Sequence, residues 1–224
     1  AETMPFEATM LPDEEALKLR KMARHLGKLI RRRAASKNEQ QSARVERTED
    51  PIEWAFKAEQ EALDGIITKL ELQLVEALRK HVHASRCVEN WMQIKGVKNR
   101  VVARILPEFL AWPRGLTAKQ AVAMAGLDPR ANQSGQRGSK QSWKISKMGN
   151  GRIRQVLWCA ANTAVRWEPA IKVYYEELLA RGKEKMVALV AVMRKLLASL
   201  WRMYQTGEAF SPTAFTRRFR AVAA

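Results

Sequence analysis

Ser134 stands in a segment, GLDPRANQSGQRGSKQSWKISKMGNGRIRQVL, whose residue types point to phosphate chemistry. A seryl hydroxyl attacks phosphorus efficiently only when a base or metal takes its proton and cations neutralise the phosphoryl oxygens. The cations are at hand: between Asp128 and Glu168 there is no acidic side chain, but Arg130, Arg137, Lys140, Lys144, Lys147, Arg152, Arg154 and Arg166 all fall there. The activator is not, because His25, His81 and His83 are distant in sequence and no carboxylate is nearby. The residues therefore leave two readings of Ser134 open, a nucleophile and a hydroxyl that shapes a sharp turn.

The glycines at 135, 138, 149 and 151 let backbone approach a ligand closely. A helix expected to begin near Gly151 adds unpaired N–H groups and the positive end of its dipole, with Arg152 and Arg154 beside them. This is the pattern of a phosphate-contacting surface, and no GxxxxGK[ST] occurs that would make it an ATP-binding loop.

The whole chain is basic as well. Its 224 residues carry 40 Lys and Arg against 23 Asp and Glu, a formal charge of +17, which is easiest to reconcile with folding if a polyanion neutralises it. With 46% hydrophobic residues it can build a core. Cys87 and Cys159 show neither CxxC spacing nor a histidine pair, so no zinc site or disulfide framework is expected and a reducing, cytoplasmic setting fits. No apolar run is long enough to span a bilayer, so no membrane partner is expected.

Helices must position this segment, and the expected fold class is all-α. Asp13, Glu14 and Glu15 suit the first turn of a helix whose stripe is Leu17, Met22, Leu26, Leu29 and Ile30. Lys28 and Arg31 to Arg33 fall late in it, either as a solvated face or as phosphate ligands. A polar stretch over residues 34–50 separates it from a second helix that Pro51 is placed to begin, with Ile52, Phe56, Leu63, Ile66, Ile67, Leu70, Leu74 and Leu78 as its stripe. The pair reads as a helical hairpin or coiled-coil arm, residues 1–90, burying its stripes internally or against a second subunit, so a homo-oligomer is expected.

Residues 91–224 read as a second, compact domain. WMQIKGVKNRVVARILPEFLAWP resembles a helix-hairpin-helix element in which Lys95, Lys98 and the turn at Gly96 would contact a phosphate backbone, with Lys98 where a second glycine is usual. An ordinary packed helix–turn–helix is the other reading. Thr117 is a candidate N-cap, Gly126 and Pro129 end a short helix, and a small hairpin is allowed around Trp143. Asn150 and Gly151 lead into a helix that Pro169 breaks or restarts, and a last amphipathic helix carries Met186, Val190, Met193, Leu197, Leu200 and Tyr204. The end, FTRRFRAVAA, is a frayed basic tail or a strand-binding one.

The succession IKGVKNRVVARIL, AGLDP, QSG, SKMGNGRIRQVL, YYEELLARGK and a final apolar helix, over about residues 91–210, resembles the C-terminal transposase domain of the insertion-sequence 110 family, the group that includes a pilin-gene invertase. The resemblance implies DNA recombination directed by a structured bridge RNA, and makes Ser134 the nucleophile. DNA and a guide RNA are then the expected partners. It also implies an N-terminal RNase H-like domain whose four acidic residues bind Mg2+, followed by a coiled coil to which LPDEEALKLRKMARHLGKLIRRRAASKN is similar. This chain starts after that acidic domain, so no cofactor is expected on it and the Mg2+ would belong to the missing domain. A shortened, non-catalytic nucleic-acid-binding or regulatory protein is the alternative function, and a helical scaffold a third.

Overall fold

The computed structural model of the chain describes residues 13–45, 52–131 and 143–216. Over these the architecture is all-α apart from one two-stranded ribbon.

The chain begins with α1 (Glu14–Val45) and α2 (Glu53–Lys80), which run antiparallel. Asp13 starts α1 by accepting the Ala16 N–H at 2.6 Å, which satisfies one of the otherwise unpartnered amides of a helix start. Residues 34–45, expected as polar connection, are instead helical. The reason is tertiary: α2 lies alongside and answers their polar groups. The Ser36 hydroxyl donates to Glu59 at 2.8 Å, and Gln60 donates to Gln40 at 3.2 Å. Of the expected α2 stripe, Leu63, Ile67, Leu74 and Leu78 are buried, whereas Ile52 and Ile66 are exposed.

After α3 (Ser85–Met92) comes α4 (Asn99–Leu110), the centre of the molecule. Every residue from Val101 to Leu110 is buried, because α1, α2, α3 and α6 (Gly151–Trp167) all pack against it. A second spine is α8 (Lys185–Thr206), against which α3, α5 (Ala118–Met124), α6 and α7 (Pro169–Ala180) pack. The two spines meet in an aromatic cluster in which the Phe109 ring lies 4.9–5.4 Å from those of Trp91, Trp112 and Trp201. Each such ring contributes roughly 2–3 kcal/mol by leaving water. Trp201 keeps its indole N–H satisfied by donating to the Leu116 carbonyl at 2.8 Å.

Local signals set the boundaries. Thr117 and Gln120 form a reciprocal capping box on α5, and Asn150 accepts the Arg152 N–H at 3.0 Å to start α6. Pro169 occupies the first turn of α7 rather than kinking α6. Strands β1 (Pro129–Ala131) and β2 (Trp143–Ile145) form the small hairpin at Trp143, with Arg130 paired to Lys144. A short α9 (Pro212–Thr216) tucks Phe215 into the core against Tyr174, so this part of the expected tail is anchored; Arg217, Arg218 and Arg220 lie outside the described residues.

Candidate nucleic-acid interface

The ribbon is clamped at its root. At the end of α5 the chain turns through Gly126, φ +66°, where a Cβ would come within 2.6 Å of both the Gly149 nitrogen and an Arg154 nitrogen. From there the two limbs are tied together: Ser146 N–H donates to the Asp128 carbonyl at 2.9 Å, Lys147 N–H to Gly126 at 3.1 Å, and Asn150 N–H to Met124 at 2.8 Å. The Ser146 hydroxyl also donates to the Asp128 carboxylate. Arg154 lies across the junction, one guanidinium nitrogen donating to the Ala125 carbonyl at 2.8 Å and to Gly149 at 3.2 Å.

The expected site residues therefore divide. Lys147, held at φ +56°, and Arg152 are exposed beside the α6 N-terminus. Arg154 is half-buried and spends hydrogen bonds on protein carbonyls, acting as a strut between α5 and α6. Arg130 and Lys144 oppose each other in the ribbon backbone, and Ser134, Arg137 and Lys140 lie outside the described residues. By sequence, Ser134 follows the last paired residue, Ala131, by three positions.

Lys95 and Lys98 are exposed but sit elsewhere. Gly96, φ +102°, docks its turn on α6 so closely that a Cβ would be 2.8 Å from the Ala160 carbonyl oxygen. Ala160 and Ala164 lie toward the far end of α6 from Arg152, about 18 Å along the helix from Arg152 to Ala164. The Lys95 N–H already donates to Glu168 at 3.1 Å, and the Lys98 ammonium donates to the Met92 carbonyl at 3.1 Å.

A basic wall faces Arg152, of which the sequence had pointed to Lys28 but not to Arg20 and Arg24. A cleft of about 680 Å³ runs between Arg20 and Arg24 of α1 and the Gly149–Arg152 turn. A second, of about 490 Å³, continues from it past Lys21, His25 and Lys28. Arg20 and Arg24 are steadied from below by Glu108 of α4, each Nε at 2.9 Å from its carboxylate. Burial would push the Glu108 carboxyl up, but the bonds from Arg24 and Arg20 outweigh it and hold its pKa below the ordinary value. The signal for this wall was available: Arg20, Arg24, Lys28 and Arg31 recur at helical spacing.

The described residues do not fit a Mg2+ site, since they bring together no group of three or more His, Cys, Asp or Glu side chains able to hold a metal. No described helix is long and apolar enough to cross a membrane.

Residues 88–176 match the family described as Transposase IS116/IS110/IS902 family. The chain is 26% identical over 160 residues to the insertion element IS900 uncharacterized 42 kDa protein of Mycobacterium paratuberculosis, covering 69% of this chain and 38% of that protein. It is 29% identical over 91 residues to the insertion element IS110 uncharacterized 43.6 kDa protein of Streptomyces coelicolor, covering 41% and 22%. It is also 26% identical over 145 residues to the pilin gene-inverting protein of Moraxella bovis, covering 64% and 45%. The matched part spans less than half the length of each of these relatives.

Proposed function

We propose, from the premise that the chain belongs through residues 88–176 to the transposase IS116/IS110/IS902 family, that it is the part of a DNA recombinase that grips the nucleic-acid backbone and delivers Ser134 to the scissile phosphate. The observation that carries this reading is the clamped ribbon root. The strands on either side of the Ser134 segment are tied to α5 and to the start of α6, next to exposed Lys147 and Arg152. Such a root fixes the two strands that bracket the segment, and the cations beside it suit a phosphate.

The chemistry is phosphoryl exchange. The Ser134 oxygen bonds to phosphorus, the bond from phosphorus to the leaving strand's oxygen breaks, and the seryl proton passes to a base while the leaving oxygen is protonated. A strand hydroxyl then attacks the phosphoseryl ester and frees Ser134, so the number of phosphoester bonds is unchanged. The chain's own cations neutralise the phosphoryl oxygens. A guide RNA is part of this reading, because its phosphates suit the same cations, and so is a homo-oligomer through the hairpin, where Trp54 is 72% and Leu72 55% exposed.

Mass spectrometry of the chain incubated with a phosphorothiolate-trapped DNA end, Mg2+ and the family's acidic domain supplied separately tests the nucleophile. A nucleotide adduct on Ser134, lost in Ser134→Ala with strand binding unchanged, is the expected result. Salt-sensitive binding without an adduct would instead support a non-catalytic binder derived from a transposase.

A further inference from the structure

Among the described residues no carboxylate forms a salt bridge with Arg104. It lies in the middle of α4 and is 9% exposed, and among the described residues its only hydrogen bond is from one guanidinium nitrogen to the Gln155 side-chain oxygen at 3.1 Å. Its guanidinium is pressed against Gly27 of α1, where an added Cβ would be 3.4 Å from it. Buried arginines ordinarily meet a carboxylate, because an uncompensated charge away from water is costly. Glu108, one turn on, is taken by Arg20 and Arg24, and Glu71 is bonded to Arg100. Burial pulls the Arg104 pKa down, and the positive potential of Arg100 and Arg31 adds to it, against opposing contributions from Cys159 and Glu71.

Its guanidinium lies between α1 and α6, meeting Gly27 of the one and Gln155 of the other. Arg20, Arg24 and Lys28 of α1 and Arg152 of α6 line the clefts, Arg31 continues the α1 row at helical spacing, and α4 packs against both helices. From Arg20 to Arg31 the wall is about 16 Å long, room for roughly four or five nucleotides at a strand rise of about 3.4 Å.

We infer that the groove between α1 and α6 is a track for the phosphodiester backbone of one nucleic-acid strand, with Arg104 on its floor as the anion site that a backbone phosphate completes. This rests on the nucleic-acid-binding reading above and deepens it by placing the strand on α1 and α6, outside the Ser134 segment. A phosphate over Arg104 supplies the missing negative charge with oxygens that accept from the unused guanidinium N–H groups. Arg152 at the start of α6 then receives the strand at the end of the groove nearest the ribbon.

The test is fluorescence anisotropy of a labelled oligonucleotide, in a DNA and an RNA version, titrated with the full chain over a salt series, alongside thermal melting. Arg104→Met should weaken binding about tenfold, one charge-assisted contact's worth, and reduce the salt slope by about 0.7, one phosphate's worth on a single strand. Its melting temperature should stay level or rise, since a buried unpaired charge has been removed. Lys28→Gln with Arg152→Gln, both exposed, should weaken binding and flatten the slope further, and serves if Arg104→Met fails to fold. Lys183→Gln, on the exposed turn between α7 and α8, should bind as the unmodified chain does. The version losing more affinity in the groove variants identifies the strand as DNA or RNA. Unmodified chain that binds neither oligonucleotide would sink the nucleic-acid reading and the groove with it. Binding by the unmodified chain that both sets of groove variants retain, with the same salt slope, would overturn the groove alone.

Discussion

Arg104 and Glu108 stand one turn apart on α4, both buried and opposite in charge, and among the described residues neither bonds the other. Glu108 is turned to Arg20 and Arg24, whereas the one side-chain hydrogen bond of Arg104 among the described residues goes to the neutral amide oxygen of Gln155. The same interface between α1 and α4 therefore does two things. At Glu108 it fastens the hairpin to the central helix through two guanidiniums on one carboxylate; at Arg104 it holds a guanidinium that no carboxylate among the described residues bonds.

Glu108→Gln should lower stability by about 2 kcal/mol in chemical denaturation. The estimate is below that for a fully buried pair because Arg20 and Arg24 are about a third exposed. The pH dependence follows in sign. The folded pKa of Glu108 lies below its ordinary value of 4.5, so its contribution is present above that value and is lost as pH falls through the folded pKa. Melting curves taken down through the carboxylate range should show a shallower loss for the glutamine variant than for the unmodified chain. Equal slopes would mean that Glu108 does not carry the acid sensitivity.

Gly96→Ala should cost about 2–4 kcal/mol, combining a φ of +102° with a methyl group placed 2.8 Å from the Ala160 oxygen. Both neighbours named at that contact, Ala160 and Ala164, offer backbone atoms that cannot swing away. Gly65, around which a Cβ would meet nothing within 4 Å, is the control, and alanine there should be neutral or stabilising in the same denaturation assay.

The two thiols should react at very different rates. Cys87 is 2% exposed and burial pushes its pKa up to about 11, so little thiolate forms near neutral pH, while Cys159 is exposed on α6. A thiol-titrating reagent should find one fast group in the native chain and the second only on unfolding, with the fast phase absent in Cys159→Ser. Prompt reaction of both thiols without denaturant would show that the α3 face opens readily.

Much of this architecture is legible in local chemistry. Thr117, Asn150 and Pro169 mark helix starts by what their own atoms do, and the one-signed charge of residues 129–167 is visible without any knowledge of packing. What was not legible depends on partners far along the chain. Ser36 and Gln40 read as linker because the groups that satisfy them, on Glu59 and Gln60, belong to another helix. Arg104 is one polar letter in an apolar run, and only the approach of Gly27 and Gln155 shows what its guanidinium meets. The α1 stripe shows helical spacing in the sequence, but its meeting with Arg152 is tertiary.

The aromatic cluster around Phe109 is where the two spines depend on each other. Its ring is fully buried and touches Trp91 from α3, Trp112 after α4, and Trp201 and Tyr204 from α8. Phe109→Leu keeps most of the volume and should cost about 1 kcal/mol, whereas Phe109→Ala leaves a cavity among rigid rings and should cost about 4 kcal/mol. Because α4 carries Arg104 and Glu108 while α8 packs against α5 and α6, the loss should reach the interface as well as the core. Tryptophan emission should shift to the red in the alanine variant as Trp112 and Trp201 gain access to water. A red shift accompanied by weaker oligonucleotide binding would tie the groove's geometry to this cluster; a red shift with binding unchanged would show that α1, α4 and α6 hold the groove without help from α8.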